Sequence, residues 1–289
     1  MTRTSSFCSA LLAMALLTAA WGAGAAVFTV NSLGDFSDDD VGDGLCETVR
    51  GNIIDGFRLE CSLRGAVEQA NALAGADVIE FSVAGRIILS AGLGPLDRIV
   101  ETLTIDGSTA PGAPGRDSFT SLAPVVILDG RNLSDVDEDS GLVVDRGASG
   151  SEIINLAVVD FPRDGIFVFS ENASWITGNW LGVDPDTGLA NGNRNGLGIG
   201  SGTNGIIVGR TLPGDGRGNV LSGNSNLGLR SETSFGLIRG NRVGVDAEGQ
   251  NSIPNLIGGA SFPFGSSNDI GELTTVESHR NVFTGNLGT

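Results

Sequence analysis

The fold is decided by two stretches of the chain, ITGNWLGVD at Ile176–Asp184 and IRGNRVGVD at Ile238–Asp246. Both follow the frame G-N-x-x-G-V-D, and they lie 62 residues apart. A second motif repeats at the same offset, as NVLSGN at Asn219–Asn224 and NVFTGN at Asn281–Asn286. Two different motifs that share one period indicate a repeating structure rather than a catalytic signature used twice.

A shorter offset gives the size of the repeating unit. IINLAV from Ile153 aligns with ITGNWL from Ile176, which pairs Val158 with Leu181. A spacing of about 20 to 24 residues is typical of one circuit in a solenoid of stacked parallel strands. The offset of 62 is therefore interpreted as three circuits with loops of unequal length.

Glycine punctuates short apolar runs along the chain. There are 45 glycines in 289 residues, about twice the usual share of roughly 7%. The apolar runs predict short buried strands; they are VVIL (Val125–Leu128), LVV (Leu142–Val144), IINLAVV (Ile153–Val159) and IFVF (Ile166–Phe169). Glycine and asparagine at the corners tolerate left-handed backbone, and asparagines on successive circuits can hydrogen-bond along the stack.

The first 26 residues have the pattern of a secretory signal peptide. Arg3 precedes an apolar stretch from Ala10 to Leu17, and small residues follow at Ala23–Ala26. The alternative, a membrane anchor, is disfavoured because this apolar run is too short to span a bilayer, and no later segment is long enough. We expect a secreted or cell-surface protein with no transmembrane segment in the mature chain.

The charge balance excludes some classes of partner. Removal of Arg3 with the signal leaves 16 basic against 34 acidic residues, so the net charge of −17 becomes −18. Such a chain is repelled by phosphate backbones and anionic membrane surfaces, so no nucleic-acid partner is expected. Solubility and cation binding are the two uses left for the acidic surface.

Two cysteines, Cys46 and Cys61, remain after the signal. An even pair in an exported protein predicts a disulfide, which closes a loop of about 16 residues and contributes roughly 3 kcal/mol in the chain-entropy model. Ser62 follows as a good N-cap for a short amphipathic helix that Gly75 would stop. The strand DVIEF at Asp77–Phe81 comes directly after it.

The stretch CSLRGAVEQAN at Cys61–Asn71 carries a resemblance to a known family. Val27–Phe81 resembles the N-terminal segment with a CSLREA motif in exported bacterial proteins, although Gly65 stands where that motif has Glu. The GN-x-x-G-V-D and NV-x-x-GN units are similar to the right-handed parallel β-helix repeats that commonly follow this segment.

The resemblance implies an all-β, pectate-lyase-like solenoid with a short N-terminal capping helix. Its parts are a signal peptide at 1–26, a disulfide-pinned capping segment at 27–103, and β-helix repeats at 104–289. The chain stops one unit into a repeat, at NVFTGNLGT. Three alternatives stay open at this end: the sequence is a fragment of a longer protein, the last circuit is exposed to solvent, or the last circuit is covered by a partner.

Polysaccharide lyases and hydrolases use the same scaffold, so the resemblance also allows a catalytic function. Hydrolases need carboxylates about 5 to 9.5 Å apart, and lyases of this fold use a basic residue beside carboxylates. The catalytic candidates are Asp160, Arg163 and Asp164 in VVDFPRDG, and Asp184 in GVDPDTG. The alternative, which we favour, is that these aspartates form turns through their own backbone. The strings typical of polygalacturonases and pectate lyases are missing.

Two acidic stretches are candidates for binding Ca²⁺. DFSDDDVGDG offers Asp38, Asp40 and Asp43, and DVDEDSG offers Asp135, Asp137 and Asp139 at alternate positions (together the candidate metal ligands). The second stretch opens like an EF-hand loop but does not complete it, since Ser140 occupies the Gly position and Arg146 the place of the bidentate Glu. An acidic, solvated loop is the alternative for each stretch.

Two functions follow from the sequence. The first is a non-catalytic secreted or surface protein that binds extracellular glycan or a protein partner along the solenoid. The alternative is a polysaccharide lyase or glycoside hydrolase of the pectate-lyase-like superfamily. The repeats identify a fold more than an activity, so the choice depends on where the candidate side chains lie.

Overall fold

The computed structural model describes residues 24–51, 53–54, 58–116, 122–209, 218–264, 266–271 and 280–287. The predicted signal peptide therefore lies almost entirely outside the described residues. No helix in these ranges is long and apolar enough to cross a membrane.

Most of the regular secondary structure of the described residues consists of short strands in three parallel sheets. The first sheet contains, in order, β1 (Val27–Val30), β4 (Asp77–Phe81), β6 (Leu103–Asp106), β9 (Glu152–Ile154), β12 (Trp175–Thr177), β17 (Ile207–Gly209), β20 (Leu237–Arg239) and β23 (Asp269–Ile270). The second contains β5 (Gly85–Ile88), β7 (Val126–Asp129), β10 (Ala157–Val159), β13 (Trp180–Leu181), β18 (Val220–Leu221), β21 (Arg242–Val243) and β24 (Val282–Phe283). The third contains β8 (Leu142–Val144), β11 (Asp164–Val168), β16 (Asn195–Ile199), β19 (Leu227–Ser231) and β22 (Gly258–Ser261).

The remaining elements are a helix, one 3-10 turn and two small antiparallel pairs. Helix α1 spans Leu63–Ala72, and the 3-10 turn spans Gly107–Thr109. β2 (Ile53–Ile54) pairs with β3 (Arg58–Leu59), and β14 (Val183–Asp184) pairs with β15 (Leu189–Ala190). The predicted predominance of β-structure with one short helix is confirmed.

The chain passes through the three sheets in rotation. From β6 onward, each strand of the first sheet is followed by one in the second and then one in the third, and each completed circuit adds one parallel neighbour to every sheet. Parallel pairing of this kind satisfies the backbone groups of each short strand only through the strands before and after it.

Apolar side chains line up between the sheets. One aligned column in the first sheet is formed by Ile105, Ile153, Ile176, Val208 and Ile238, each at most 1% exposed. Matching columns in the second and third sheets belong to the same core cluster, which runs from Phe28 to Val243. One continuous core thus serves both the predicted capping segment and the repeats.

Two ladders of asparagines run along the stack, as the corner asparagines predicted, and all are buried except the half-buried Asn281 and Asn286 of the last circuit. The first is formed by Asn179, Asn219, Asn241 and Asn281, and the second by Asn193, Asn224, Asn255 and Asn286. At each step of a ladder, the side-chain amide oxygen of one asparagine accepts a hydrogen bond from the backbone N–H of the asparagine on the previous circuit. The amide nitrogens donate to backbone carbonyls, for example that of Asn219 to Ile176 O at 2.8 Å.

The interpretation of the 62-residue offset as three circuits is wrong. Trp175, Ile207 and Leu237 are side by side in the first sheet, so 62 residues span two circuits. The offset of 23 is one circuit, since Ile153 pairs with Ile176 and Val158 with Leu181. Later circuits are longer because segments fold out of the sheets, and the hairpin β14–β15 is one of them.

The run IINLAVV is two strands and not one. Asn155 adopts a left-handed backbone with φ of 58° and separates β9 in the first sheet from β10 in the second. The run contains no glycine, so its apolar pattern gives no sign that the chain turns a corner at Asn155. Asparagine is the residue that takes this conformation with little penalty.

The N-terminal segment is organised as predicted around α1 and the disulfide. Ser62 caps α1, accepting a hydrogen bond from the backbone N–H of Gly65, and Cys46 is bonded to Cys61. The buried face of α1 packs on β1 and β4, beside the open edge of the first sheet. Asp35 lies beneath the helix and forms a buried ion pair with Arg64, whose Nε is 2.7 Å from Oδ1.

The opposite edge of the sheets is formed by β22, β23 and β24, which have no further strand beside them among the described residues. Ile270 and Phe283 are 46% and 40% exposed there. Association through this edge is one of the three alternatives that the sequence leaves open, and it stays open.

Candidate functional site

A cluster of ion pairs lies on the outer side of the second sheet, around Arg86 of β5. Its guanidinium contacts three carboxylates: Nη1 is 2.7 Å from Asp129, and Nη2 is 2.8 Å from both Asp184 and Asp186. Arg131 also donates to Asp129, from its backbone N–H and its Nε, both at 3.0 Å. These ion pairs connect the hairpin β14–β15, which follows β13, to β5, which lies three strands from β13 in the second sheet.

The pKa shifts in this cluster follow from burial and pairing. Burial opposes ionisation of Asp129, but hydrogen bonds from Arg131 and Arg86 outweigh it and lower the pKa of this carboxyl. Burial also opposes the charge on Arg86, yet its three carboxylate partners raise the pKa of the guanidinium. Asp160 differs, because burial and the neighbouring charge of Asp129 raise its pKa.

Arg163 and Asp164 lie at the third sheet instead. Asp164 begins β11 and is 4% exposed, and its Oδ1 accepts a hydrogen bond from Asn195 Nδ2 at 2.8 Å. Arg163 Nε is 3.6 Å from Asp164 Oδ2, and its guanidinium lies over the ring of Phe167. Burial raises the pKa of Asp164, partly offset by the amide of Asn195 and by the charge of Arg163.

The four catalytic candidates are therefore divided between two places. Asp184 belongs to the Arg86 cluster, and Asp160 lies beside it. Arg163 pairs with Asp164 at the third sheet, where Asp164 also accepts a hydrogen bond from Asn195. Asp160 has a left-handed backbone, with φ of 61°, and forms the corner between β10 and β11. This arrangement favours the alternative in which these aspartates shape turns and fasten loops.

The candidate metal ligands near the N-terminus are used by the loop itself. Asp38 is 6% exposed; its carboxylate accepts the backbone N–H of Glu47 at 2.9 Å and the side-chain amide of Gln69 at 2.6 Å. The same amide of Gln69 donates to the carbonyl of Asp40 and to Asp43 Oδ1. These contacts make the acidic stretch a compact loop over α1.

The second acidic stretch also folds on its own backbone. Asp139 Oδ2 accepts the N–H groups of Ser134 and Asp135, and Asp135 Oδ1 accepts that of Asp137. Within the described ranges, no group of three or more His, Cys, Asp or Glu side chains is arranged to hold a metal ion. The Ca²⁺ hypothesis has no geometric support at any of the six candidate aspartates.

An aromatic surface lies on the outer face of the third sheet. Ile166 and Val168 of β11 point into the core, so Phe167 and Phe169 face outward, both half-buried. Each ring lies against a glycine of β16 or its end: a Cβ on Gly198 would be 2.7 Å from Phe167 Cδ2, and one on Gly200 would be 2.8 Å from Phe169 Cδ2. Only glycine leaves room for the rings to lie on the neighbouring strand.

Cationic and polar groups surround these rings. The guanidinium of Arg146 lies 4.2 Å from the centre of Phe169, and that of Arg163 lies 5.1 Å from Phe167. Beside Phe169 is a cavity of about 440 Å³, which is lined by Arg146, Phe169, Ser170, Glu171, Asn172, Gly202 and Asn204. An aromatic ring among hydroxyl, amide and charged groups is a surface suited to a hydroxyl-rich ligand.

Neither the aromatic surface nor the Arg86 cluster is predicted from the sequence, for different reasons. The apolar run IFVF predicts a buried strand, but Phe167 and Phe169 face outward. The signal for this is GLGIG on the next circuit, whose glycines leave room beneath two outward rings. Arg86 gives no local signal, because its partner Asp184 is 98 residues away in the chain.

Comparison with known proteins finds no relative of this chain. No family model, no curated protein and no solved structure matches it.

Proposed function

We propose that this chain is an exported protein of the CSLREA-type β-helix class, whose three sheets form a closed, right-handed parallel solenoid capped by α1. The rotation of the chain through three parallel sheets, the two asparagine ladders and the Cys46–Cys61 disulfide support the proposal. A disulfide fits an oxidising compartment outside the cytosol.

The function we propose is glycan binding without catalysis. The observation that carries it is the surface formed by Phe167 and Phe169 on Gly198 and Gly200, with the polar cavity at its end. The guanidiniums of Arg146 and Arg163 lie over these rings, so a sugar would displace them to place its C–H face on the apolar ring surface. The displaced guanidiniums and the neighbouring hydroxyl and amide groups could then bond the sugar hydroxyls. A protein partner would be expected to use a larger and more continuous apolar surface.

A polysaccharide hydrolase is the second candidate, and one observation favours it. Asp160 has a raised pKa beside Asp129, whose pKa is lowered, and two carboxyls with divergent pKa values are the usual pattern of a glycosidase acid and its partner. Against it, Asp129 is fully buried between Arg86 and Arg131. A lyase is less favoured, since the candidate base Arg163 is paired with Asp164 at the third sheet, apart from the carboxylates around Arg86.

The test is a glycan array probed with the mature protein, run beside an assay for released reducing or unsaturated sugar ends. We expect binding without release, and we expect Phe169→Ala to lose most of the binding while its melting curve stays close to that of the parent. Release of sugar ends that Asp160→Asn abolishes would support the hydrolase instead. Binding to proteins of a cell surface, with no glycan bound, would overturn the proposal.

A further inference from the structure

A row of small polar side chains runs along the turns that connect the third sheet to the first. It contains one residue from each of five successive circuits: Ser149, Asn172, Asn204, Ser234 and Ser266. Asn204 and Ser234 form a parallel bridge, and the hydroxyls of Ser234 and Ser266 are 3.3 Å apart. With about 4.8 Å between neighbouring strands, the row is about 19 Å long.

Phe235 stands directly beside this row in an unusual conformation. It follows Ser234, its side chain is 66% exposed, and its backbone is left-handed, with φ of 56°. On the preceding circuit the corresponding position is Gly205, with φ of 66°. A bulky residue is disfavoured in this region of backbone space and gains little burial here, so folding alone does not account for a phenylalanine at this corner.

The cavity beside Phe169 opens onto the same row, because Asn172 and Asn204 belong to both. Its two charged side chains, Arg146 and Glu171, are of opposite sign, so the lining has no net charge. The chain as a whole carries −17, which repels an anionic polymer. Charge thus favours a ligand that is neutral and rich in hydroxyls.

We infer that this turn edge is a linear binding track for a neutral, unbranched glycan lying along the stack of circuits, with Phe169 and Phe235 as its aromatic contacts. The inference rests on the proposed function and adds the substrate class, the direction of the ligand and the residue Phe235. The polar row supplies donors and acceptors for sugar hydroxyls at every circuit, and the two rings supply apolar contact at separate points along it.

Phe235→Gly is the most informative variant, because glycine adopts the left-handed conformation freely. Binding would be measured by calorimetry with soluble, unbranched oligomers of glucose, xylose and mannose long enough to span the row, and with a galacturonate oligomer. We expect Phe235→Gly to melt at the same or a higher temperature than the parent and to bind the preferred neutral oligomer about tenfold more weakly. Leu189→Ala, at an exposed position of the hairpin on the second sheet, is the matched control and should bind like the parent.

Salt and ligand charge separate this inference from the proposed function. We expect the affinity for the neutral oligomer to change little with salt, since no ionic contact drives it. Preference for the galacturonate oligomer, or unchanged binding by Phe235→Gly, would overturn the track and leave glycan binding in place. A parent protein that binds no carbohydrate on the array would overturn the proposed function itself.

Discussion

Asn224 is a good example of how a single buried side chain determines a corner in this protein. It is fully buried; its Nδ2 donates to Leu181 O at 3.0 Å and to Asn255 Oδ1 at 2.9 Å, and its Oδ1 accepts the backbone N–H of Asn193 at 3.2 Å. The amide therefore serves three successive circuits at once. Buried donors and acceptors are costly to leave unpaired, so each ladder asparagine constrains the register of its neighbours.

We expect Asn224→Ala to lower the free energy of unfolding by about 1 to 3 kcal/mol, because it leaves the backbone N–H of Asn193 without a partner. It also removes one of the two hydrogen bonds to the Leu181 carbonyl, which keeps the bond from the backbone N–H of Ser222. Urea denaturation followed by circular dichroism measures this directly. Asn191→Ala is the matched control, since no hydrogen bond of the Asn191 side chain occurs among the described residues, and it should cost less than about 0.5 kcal/mol. Equal losses for the two variants would contradict the role of the ladder.

Asp164 is a buried carboxyl whose charge opposes folding at neutral pH. Burial raises its pKa in the folded protein above the unfolded value, so its contribution to stability is present at low pH and is lost as the pH rises through the folded pKa. Asp164→Asn keeps an acceptor for the amide of Asn195 and removes the charge. We expect this variant to be more stable than the parent at pH 7, with the difference shrinking as the pH approaches 4.

Melting temperatures measured across this pH range test the prediction, with Asp137→Asn, an exposed aspartate, as the control whose pH profile should match the parent. A less stable Asp164→Asn protein at pH 7 would mean that the contact with Arg163, at 3.6 Å, outweighs the cost of burial.

At the scale of elements, the hairpin β14–β15 is held by contacts that are distant in sequence. Its own pairing is short, from Val183 with Ala190 and Asp184 with Leu189, and Leu189 is 67% exposed. An isolated two-stranded hairpin is marginal in water. The hairpin is therefore expected to depend on the ion pairs of Asp184 and Asp186 with Arg86 and on the packing of Val183 beneath it.

We expect Arg86→Leu to destabilise the protein by about 2 to 3 kcal/mol, because it removes charged hydrogen bonds to three carboxylates and leaves buried Asp129 with Arg131 alone. Hydrogen exchange at the amides of Gly188 and Asn191, which are bonded to Asp184 and Gly182, should accelerate more than exchange in the core strands. Arg98→Leu removes only exposed ion pairs of 3.5 and 3.6 Å and should change stability by less than about 0.5 kcal/mol. Unchanged exchange in the hairpin of Arg86→Leu would show that packing alone holds it.

The elements that could be predicted from the sequence are those with local signals. Ser62 marked the start of α1, the strand DVIEF was found at its observed bounds, and the offset of 23 gave the register of β9 with β12 and of β10 with β13. The prediction of three circuits in the 62-residue offset was wrong, because there are two. The length of a circuit depends on how many residues fold out of the sheets, and no local sequence pattern encodes this number. The Arg86 cluster was missed for a related reason: its members meet only after several circuits have stacked.

At the scale of the whole molecule, the three sheets form a regular support for one aromatic and polar surface. The core is continuous, the described acidic loops bond to their own backbone, and the catalytic candidates are split between two sheets. High negative charge keeps such a protein soluble and weakens its attraction for anionic polymers. These properties fit a protein that holds a polysaccharide chain and leaves it intact.

Prolonged incubation of the mature protein with the polysaccharide that gives the strongest signal on the glycan array tests the proposed function most directly. The polymer would be recovered after binding, and its chain length and end groups would be compared with those of polymer kept without protein. We expect it to be retained by the protein and recovered at full length with no new ends. Shortened chains or new reducing or unsaturated ends, abolished by Asp160→Asn, would contradict the account and identify an enzyme.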